Sequence, residues 1–190
     1  MPVMPGRQNK LTAAEFLLWP DDGRRHELID GVHYVTPSPN PRHQELVGRL
    51  HLAIGNFLAS RRHLGRVFLS RLDVVLSEHD VVEPDLLVIA GDQQSILTDA
   101  NVQGAPALVI EILSPSTRHR DVGIKRTLFD QKGVREYWLV DPGGRLSVCR
   151  RAEDGSFPTV ATLTAQHGDI LTTPLLPDFT LSIADLFAEI

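Results

Sequence analysis

Between positions 42 and 62 apolar side chains recur at Leu46, Leu50, Ala53, Ile54, Phe57 and Leu58, the three- and four-residue spacing of a helix with one buried face. The pattern then changes to short runs of Val, Ile and Leu bounded by Pro, Gly or Ser, at 67 to 76, 82 to 90 and 107 to 113, which predicts three buried strands. Upstream, residues 25 to 29 and 32 to 36 flank Asp30-Gly31, a strong hairpin signal. Downstream, 121 to 132 reads as a helix with Lys125 on a face shared with Val122 and Phe129. Residues 136 to 140 read as a fourth strand, stopped by Asp141-Pro142-Gly143-Gly144. Residues 93 to 104 read as a loop with a helical turn, and 146 to 150 and 159 to 163 as tail strands. Capping patterns at Thr12-Ala13-Ala14-Glu15 and at Ser182 open a short first helix and a short last one.

Two positions break this apolar pattern. Asp85 lies in Glu83-Pro84-Asp85-Leu86-Leu87-Val88-Ile89, and Glu111 stands alone inside Ala107-Leu108-Val109-Ile110-Glu111-Ile112-Leu113. A buried carboxylate must be paired, protonated or bound to a cation, because an isolated buried charge costs on the order of several kcal/mol or more. Two of them on neighbouring strands imply a site for a hard metal ion, although Glu111 paired with a core arginine is the plainer alternative. Lys125, facing inward beside them, is a candidate to orient or deprotonate a water or to hold a phosphate. Its plainer alternative is a helix ion pair with Asp121, four residues earlier.

These residues resemble the PD-(D/E)XK nuclease superfamily, with Pro84-Asp85 as its PD and Glu111 as its second acid. The lysine usually found two positions after that acid is absent, since Leu113 stands there, and Lys125 resembles the version in which it has moved to the following helix. That arrangement is similar to the Uma-two branch of restriction endonuclease-like proteins. The branch is matched by His26-Glu27-Leu28-Ile29-Asp30-Gly31, by His43, by Glu111-Ile112-Leu113-Ser114-Pro115-Ser116-Thr117, and by Gly133-Val134-Arg135-Glu136-Tyr137-Trp138-Leu139-Val140-Asp141-Pro142. The resemblance implies an α/β, restriction-endonuclease-like core with a mixed central sheet flanked by helices, an N-terminal hairpin and extra C-terminal strands. It implies catalytic Asp85, Glu111 and Lys125, with Mg²⁺ or Mn²⁺ held by Asp85 and Glu111. Glu27 resembles an upstream acid that adds a catalytic and metal-binding carboxylate; the plainer alternative is a surface strand Glu paired with Arg25. His43 is either near the metal or a capping and surface residue. Phe129 stands where the branch often has tyrosine.

At 190 residues, 42% hydrophobic and 23% charged, the chain suits a single domain, 1 to 190, with a core over about 24 to 142 and an extension over 143 to 190. No apolar run reaches the ~18 to 20 residues needed to cross a bilayer, and Met1-Pro2-Val3-Met4-Pro5-Gly6-Arg7 lacks the apolar centre of a secretory signal, so a cytoplasmic location is expected. The single cysteine, Cys149, has no disulfide partner within the chain and reads as a packing residue. The eight histidines show no zinc spacing. A net charge of −5 argues against a broad phosphate-binding face, leaving local basic clusters at Arg61-Arg62-His63 with Arg66, and at Arg118-His119-Arg120 with Lys125-Arg126. The expected function is a divalent-metal nuclease acting on DNA, as a homodimer. The competing reading is a nuclease-like scaffold that binds nucleic acid or a protein without cutting.

Overall fold

The computed structural model describes residues 10–188; the Met1 to Arg7 stretch read above lies outside them. The hairpin forms as the sequence predicts. Strands β1 (Arg25–Ile29) and β2 (Val32–Thr36) pair antiparallel, with Asp30 at φ 51° and Gly31 at φ 74° closing the turn. Positive φ at both central residues gives the connection a twist that matches the strands. A Cβ at Gly31 would also lie 2.6 Å from Lys10 Cβ, so glycine is required there on both counts.

The long helix α2 (Pro41–Ala59), capped by the Asn40 side chain and begun by a proline in its first turn, buries Leu46, Leu50, Ile54 and Leu58. The short helix α1 (Ala13–Phe16) carries the expected capping box at Thr12.

Two of the predicted strands are divided. Residues 67 to 76 become β3 (Gly65–Leu69) and β4 (Val74–Ser77); residues 82 to 90 become β5 (Asp80–Val82) and β6 (Leu86–Ala90). In each pair the first and second members belong to different sheets. Pro84 is the physical break in the second run, because it has no N–H to give a strand ladder. The preceding Glu83 amide instead donates to the Glu27 carboxylate at 3.2 Å.

The loop after β6 contains a 3₁₀ turn, Gly91–Ile96, and the short β7 (Val102–Gln103). Next come β8 (Leu108–Ile112), β9 (Glu136–Asp141), β10 (Arg145–Arg150) and β11 (Thr159–Thr164). The larger sheet has the order β11-β10-β9-β8-β6-β3, parallel only between β8 and β9; the smaller runs β2-β1-β5-β4-β7. A two-stranded ribbon, β12 (Ile170–Leu171) with β13 (Leu181–Ser182), leads into a last helix that begins at Ile183.

Between β8 and β9 the chain makes a wide π-helical turn, Arg120–Lys125, that runs into α3 (Arg126–Lys132); the last helix, Ile183–Phe187, is therefore α4. One face of the large sheet meets α2 and α4 through Leu50, Ile54, Leu108, Ile110, Trp138 and Ile183. The other meets α3 through Leu87, Val109, Tyr137, Leu128 and Phe129. Strands covered on both faces show unbroken apolar runs, which is why β6 and β8 are buried at every position. Cys149 is buried in β10. No described helix is long and apolar enough to cross a membrane.

Candidate active site

The chain passes from the small sheet to the large one at Glu83-Pro84-Asp85, so Asp85 sits where the two sheets meet. β6 and β8 are adjacent and antiparallel, as expected, and this places Asp85 beside Glu111. The Asp85 amide faces Glu111 Oε2 at 3.4 Å, and the Ile112 amide donates to Asp85 Oδ2 at 2.8 Å. Alternation along β1 sends Arg25 and Glu27 to one face of the hairpin. Glu27 is fully buried, which rules out the surface-strand alternative.

Lys125 reaches this cluster from the helical crossover. Its side chain is 1% exposed, with Nζ 2.6 Å from Glu27 Oε1 and 2.5 Å from Glu111 Oε1. The helical face differs from the expected one: Val122 is exposed, whereas Asp121 is buried with its Oδ1 3.8 Å from Lys125 Nζ. The wide π turn accounts for this, since adding backbone per turn brings positions 121 and 125, rather than 122 and 125, into line.

Arg25 closes the network. Its Nη1 is 2.6 Å from Asp85 Oδ1, and its Nη2 is 3.2 Å from Glu111 Oε2 and 3.8 Å from Glu27 Oε1. On the other side of Asp85, His43 Nε2 from the first turn of α2 is 3.1 Å from Oδ2, so the histidine faces the cluster rather than only capping a helix. Arg120 Nη2 is 3.6 Å from Glu27 Oε2, bonds Thr36 at 2.7 Å and lies over the Tyr34 ring. The rest of the second basic cluster disperses: Arg118 pairs with Asp141, and Arg126 donates to the Phe157 carbonyl.

These contacts set the protonation of each acid. Burial pushes Asp85 up, but the His43 hydrogen bond, the Arg25 charge and the Ile112 amide hold it well below the usual carboxylate range. Burial also raises Glu27, and Lys125, Arg25 and Arg120 more than reverse it. Glu111 shares Lys125 with Glu27 yet moves the opposite way, to about 8. Its burial is reinforced by repulsion from Asp85 and Asp121, which Lys125 and Arg25 do not cancel. Burial lowers the pKa of Lys125, but Glu111 and Glu27 raise it further, so its ammonium holds its proton and is no base.

The residues expected to hold a metal, Asp85, Glu111 and Glu27, lie together and are ion-paired to Arg25 and Lys125. Among the described residues no three His, Cys, Asp or Glu side chains stand in a metal-holding arrangement. Arg25 and Lys125 take the oxygens that face the centre. The donors nonetheless suit a hard divalent cation, being carboxylate oxygens throughout, and Glu27 Oε2 is buried without a hydrogen-bond partner. Withdrawal of the Arg25 guanidinium alone would free Asp85 Oδ1 and Glu111 Oε2. Arg25 lines a cleft of about 760 Å³ that opens onto Asp85, Glu111 and Lys125, so it has somewhere to go.

Three of these participants escaped the sequence reading in their full role: Arg25, Arg120 and Asp121. The period-two spacing of Arg25 and Glu27 was a usable signal for Arg25. The four-residue spacing of Asp121 and Lys125 was the signal for that pair, and no local pattern marks the contact of Arg120 with Glu27.

A mixed sheet flanked by helices, with one acid at a sheet crossing, a second inside the next strand and a lysine from the helix that follows, defines a restriction-endonuclease-like protein. The profile of the Uma2 family, described as "putative restriction endonuclease", matches residues 13–184, and the chain belongs to that family. A solved structure from Anabaena variabilis, titled a "putative nuclease belonging to DUF820", has the same fold: TM-score 0.78 at 23% identity, covering 93% of this chain and 97% of that one. Comparison with curated proteins finds no match.

Proposed function

We propose that this protein is a divalent-metal-dependent nuclease that hydrolyses phosphodiester bonds of DNA in the large cleft. The observation that carries this reading is the Lys125 ammonium held 2.6 Å from Glu27 and 2.5 Å from Glu111 at the cleft floor, beside Asp85. So many buried charges are a poor way to stabilise a fold, since an apolar core of similar volume is often as stable, but they suit a site that handles a polyanion.

Asp85, Glu111 and Glu27 would hold Mg²⁺ or Mn²⁺, which when bound supplies positive charge for the phosphoryl oxygens and lowers the pKa of a water. Lys125 orients Glu27 and Glu111 and favours their ionised forms without acting as a base; the proton that Glu111 carries below about pH 8 would leave when the metal binds. Arg25 covers the carboxylates in the free protein and, once released, is placed to receive the phosphate of the substrate. His43 fixes the orientation of Asp85 and lines the cleft, where it can hand a proton to or from substrate. A homodimer belongs to the same reading, since it would offer two clefts to one duplex.

The test is plasmid nicking and single-strand cleavage by purified protein with Mn²⁺, against EDTA and Glu111→Gln. Metal-dependent cleavage lost in the variant is the expected result. Folded wild-type protein that binds DNA and cuts neither DNA nor RNA would select the scaffold reading instead.

A further inference from the structure

A smaller cavity of about 250 Å³ lies beside the cleft, with Trp19, Asp73 and Glu83 in its lining. Arg24 and Arg71 line both this cavity and the cleft, so the two spaces share a wall. Glu83 is only 8% exposed, its Oε2 is buried without a hydrogen-bond partner, and among the described residues its carboxylate makes no ion pair. Buried carboxylate oxygens are normally satisfied, and Glu83 together with Asp73 in the same lining supplies acceptors without donors. The same cavity has aromatic lining. Trp19 is 43% exposed and packs against Phe16, with ring centroids 5.4 Å apart, and perpendicular to His33 at 4.7 Å.

A cavity lined by an indole and by unsatisfied carboxylates suits a planar ligand that carries N–H donors on its edge. Among the nucleobases, guanine has two adjacent donors, N1–H and the 2-amino group, matched to the neighbouring carboxylates of Glu83 and Asp73. Adenine and cytosine offer a single amino group, and thymine one imide N–H. The cavity is below the ~300 to 1,000 Å³ of drug-sized sites and has room for one ring system.

We propose that this cavity reads a guanine turned out of the stack next to the scissile phosphodiester, with the ring on Trp19 and its Watson–Crick edge on Glu83 and Asp73. Arg24 and Arg71 receive the connecting phosphate. Their present partners, Asp22 and Asp21, are solvent-exposed and exchange readily. The proposal rests on reading the large cleft as a nuclease site and gives that site a base preference. Aromatic stacking accepts any base, so the preference resides in the carboxylates.

The four deoxynucleoside 5′-monophosphates are titrated in EDTA, following Trp19 fluorescence and heat; the second tryptophan, Trp138, is buried in β9. The expected result is dGMP bound at least about tenfold more tightly than the others. Glu83→Gln should remove that preference, Asp73→Asn should reduce it, and Trp19→Ala should weaken all four. Equal binding of the four, a preference that survives both carboxylate variants, or binding only of free arginine as a mimic of a protein side chain would each overturn the proposal. Guanine-selective binding by a protein that cleaves nothing with Mn²⁺ would uphold the pocket and reject the nuclease reading.

Discussion

Arg25 and Asp85, 60 residues apart, are joined by a 2.6 Å hydrogen bond that ties the hairpin to the point where the chain crosses between its sheets. The same guanidinium reaches Glu111, so one side chain neutralises two carboxylates of the site. One guanidinium thus holds both side chains, and removing it leaves Asp85 and Glu111 without their shared partner.

Arg25→Met should therefore destabilise the metal-free protein by about 3 to 5 kcal/mol, since two buried carboxylates lose their shared partner. Mn²⁺ should restore much of that loss and raise the melting temperature of the variant more than that of wild type. Thermal melts with EDTA and with Mn²⁺ check this; a variant indifferent to Mn²⁺ would reject the site.

Lys125→Met leaves Glu27 and Glu111 facing one another without the ammonium between them. Cleavage should fall about 10²-fold or more, as when one preorganised charge is removed from a catalytic centre. Because Lys125 keeps its proton, the basic limb of the wild-type pH–rate profile below pH 10 should not belong to it. Comparing the profiles of wild type and Lys125→Arg measures this.

Metal affinity should depend on pH through Glu111. Its pKa rises from 4.5 to about 8 on folding, so the stability linked to its proton is fully present below about pH 4.5 and is lost as pH rises through 8. Metal-free protein should melt at lower temperature on going from pH 5 to 8. Mn²⁺ must displace that proton, so affinity should climb by up to about tenfold per unit toward pH 8 and level off above it. Glu111→Gln should flatten the melting trend in calorimetry. Asp85 works in the opposite sense: its depressed pKa adds stability above pH 3.8 that is lost as pH falls through its folded value.

His43→Gln should retain the fold, because the ring lines the cleft and glutamine keeps a hydrogen-bonding group beside Asp85, while lowering kcat by about 10- to 100-fold with little change in KM. Steady-state kinetics on an oligonucleotide separates the two; an unchanged kcat would reduce His43 to a helix-end residue.

How much of this was legible beforehand varies with the range of the interaction. The hairpin, α2, β8 and the capped ends follow from local rules: turn chemistry at Asp30-Gly31, apolar spacing from Leu46 to Leu58, and side-chain caps at Thr12 and Ser182. Asp85, Glu111 and Lys125 stood out because charges inside apolar patterns demand partners. The sheet crossing at Pro84 had a local cause, yet which sheet received each half depended on pairing partners far along the chain. Periodicity could not show that Glu27 is buried, that Val122 turns outward, or that Arg25 occupies the centre of the acids. By itself the sequence determined the elements and the unavoidable presence of a charged site. Only the tertiary structure decided which cation meets which carboxylate, because Coulomb energy depends on distance and burial, and both arise when segments 25–27, 83–85, 111 and 120–125 are brought together.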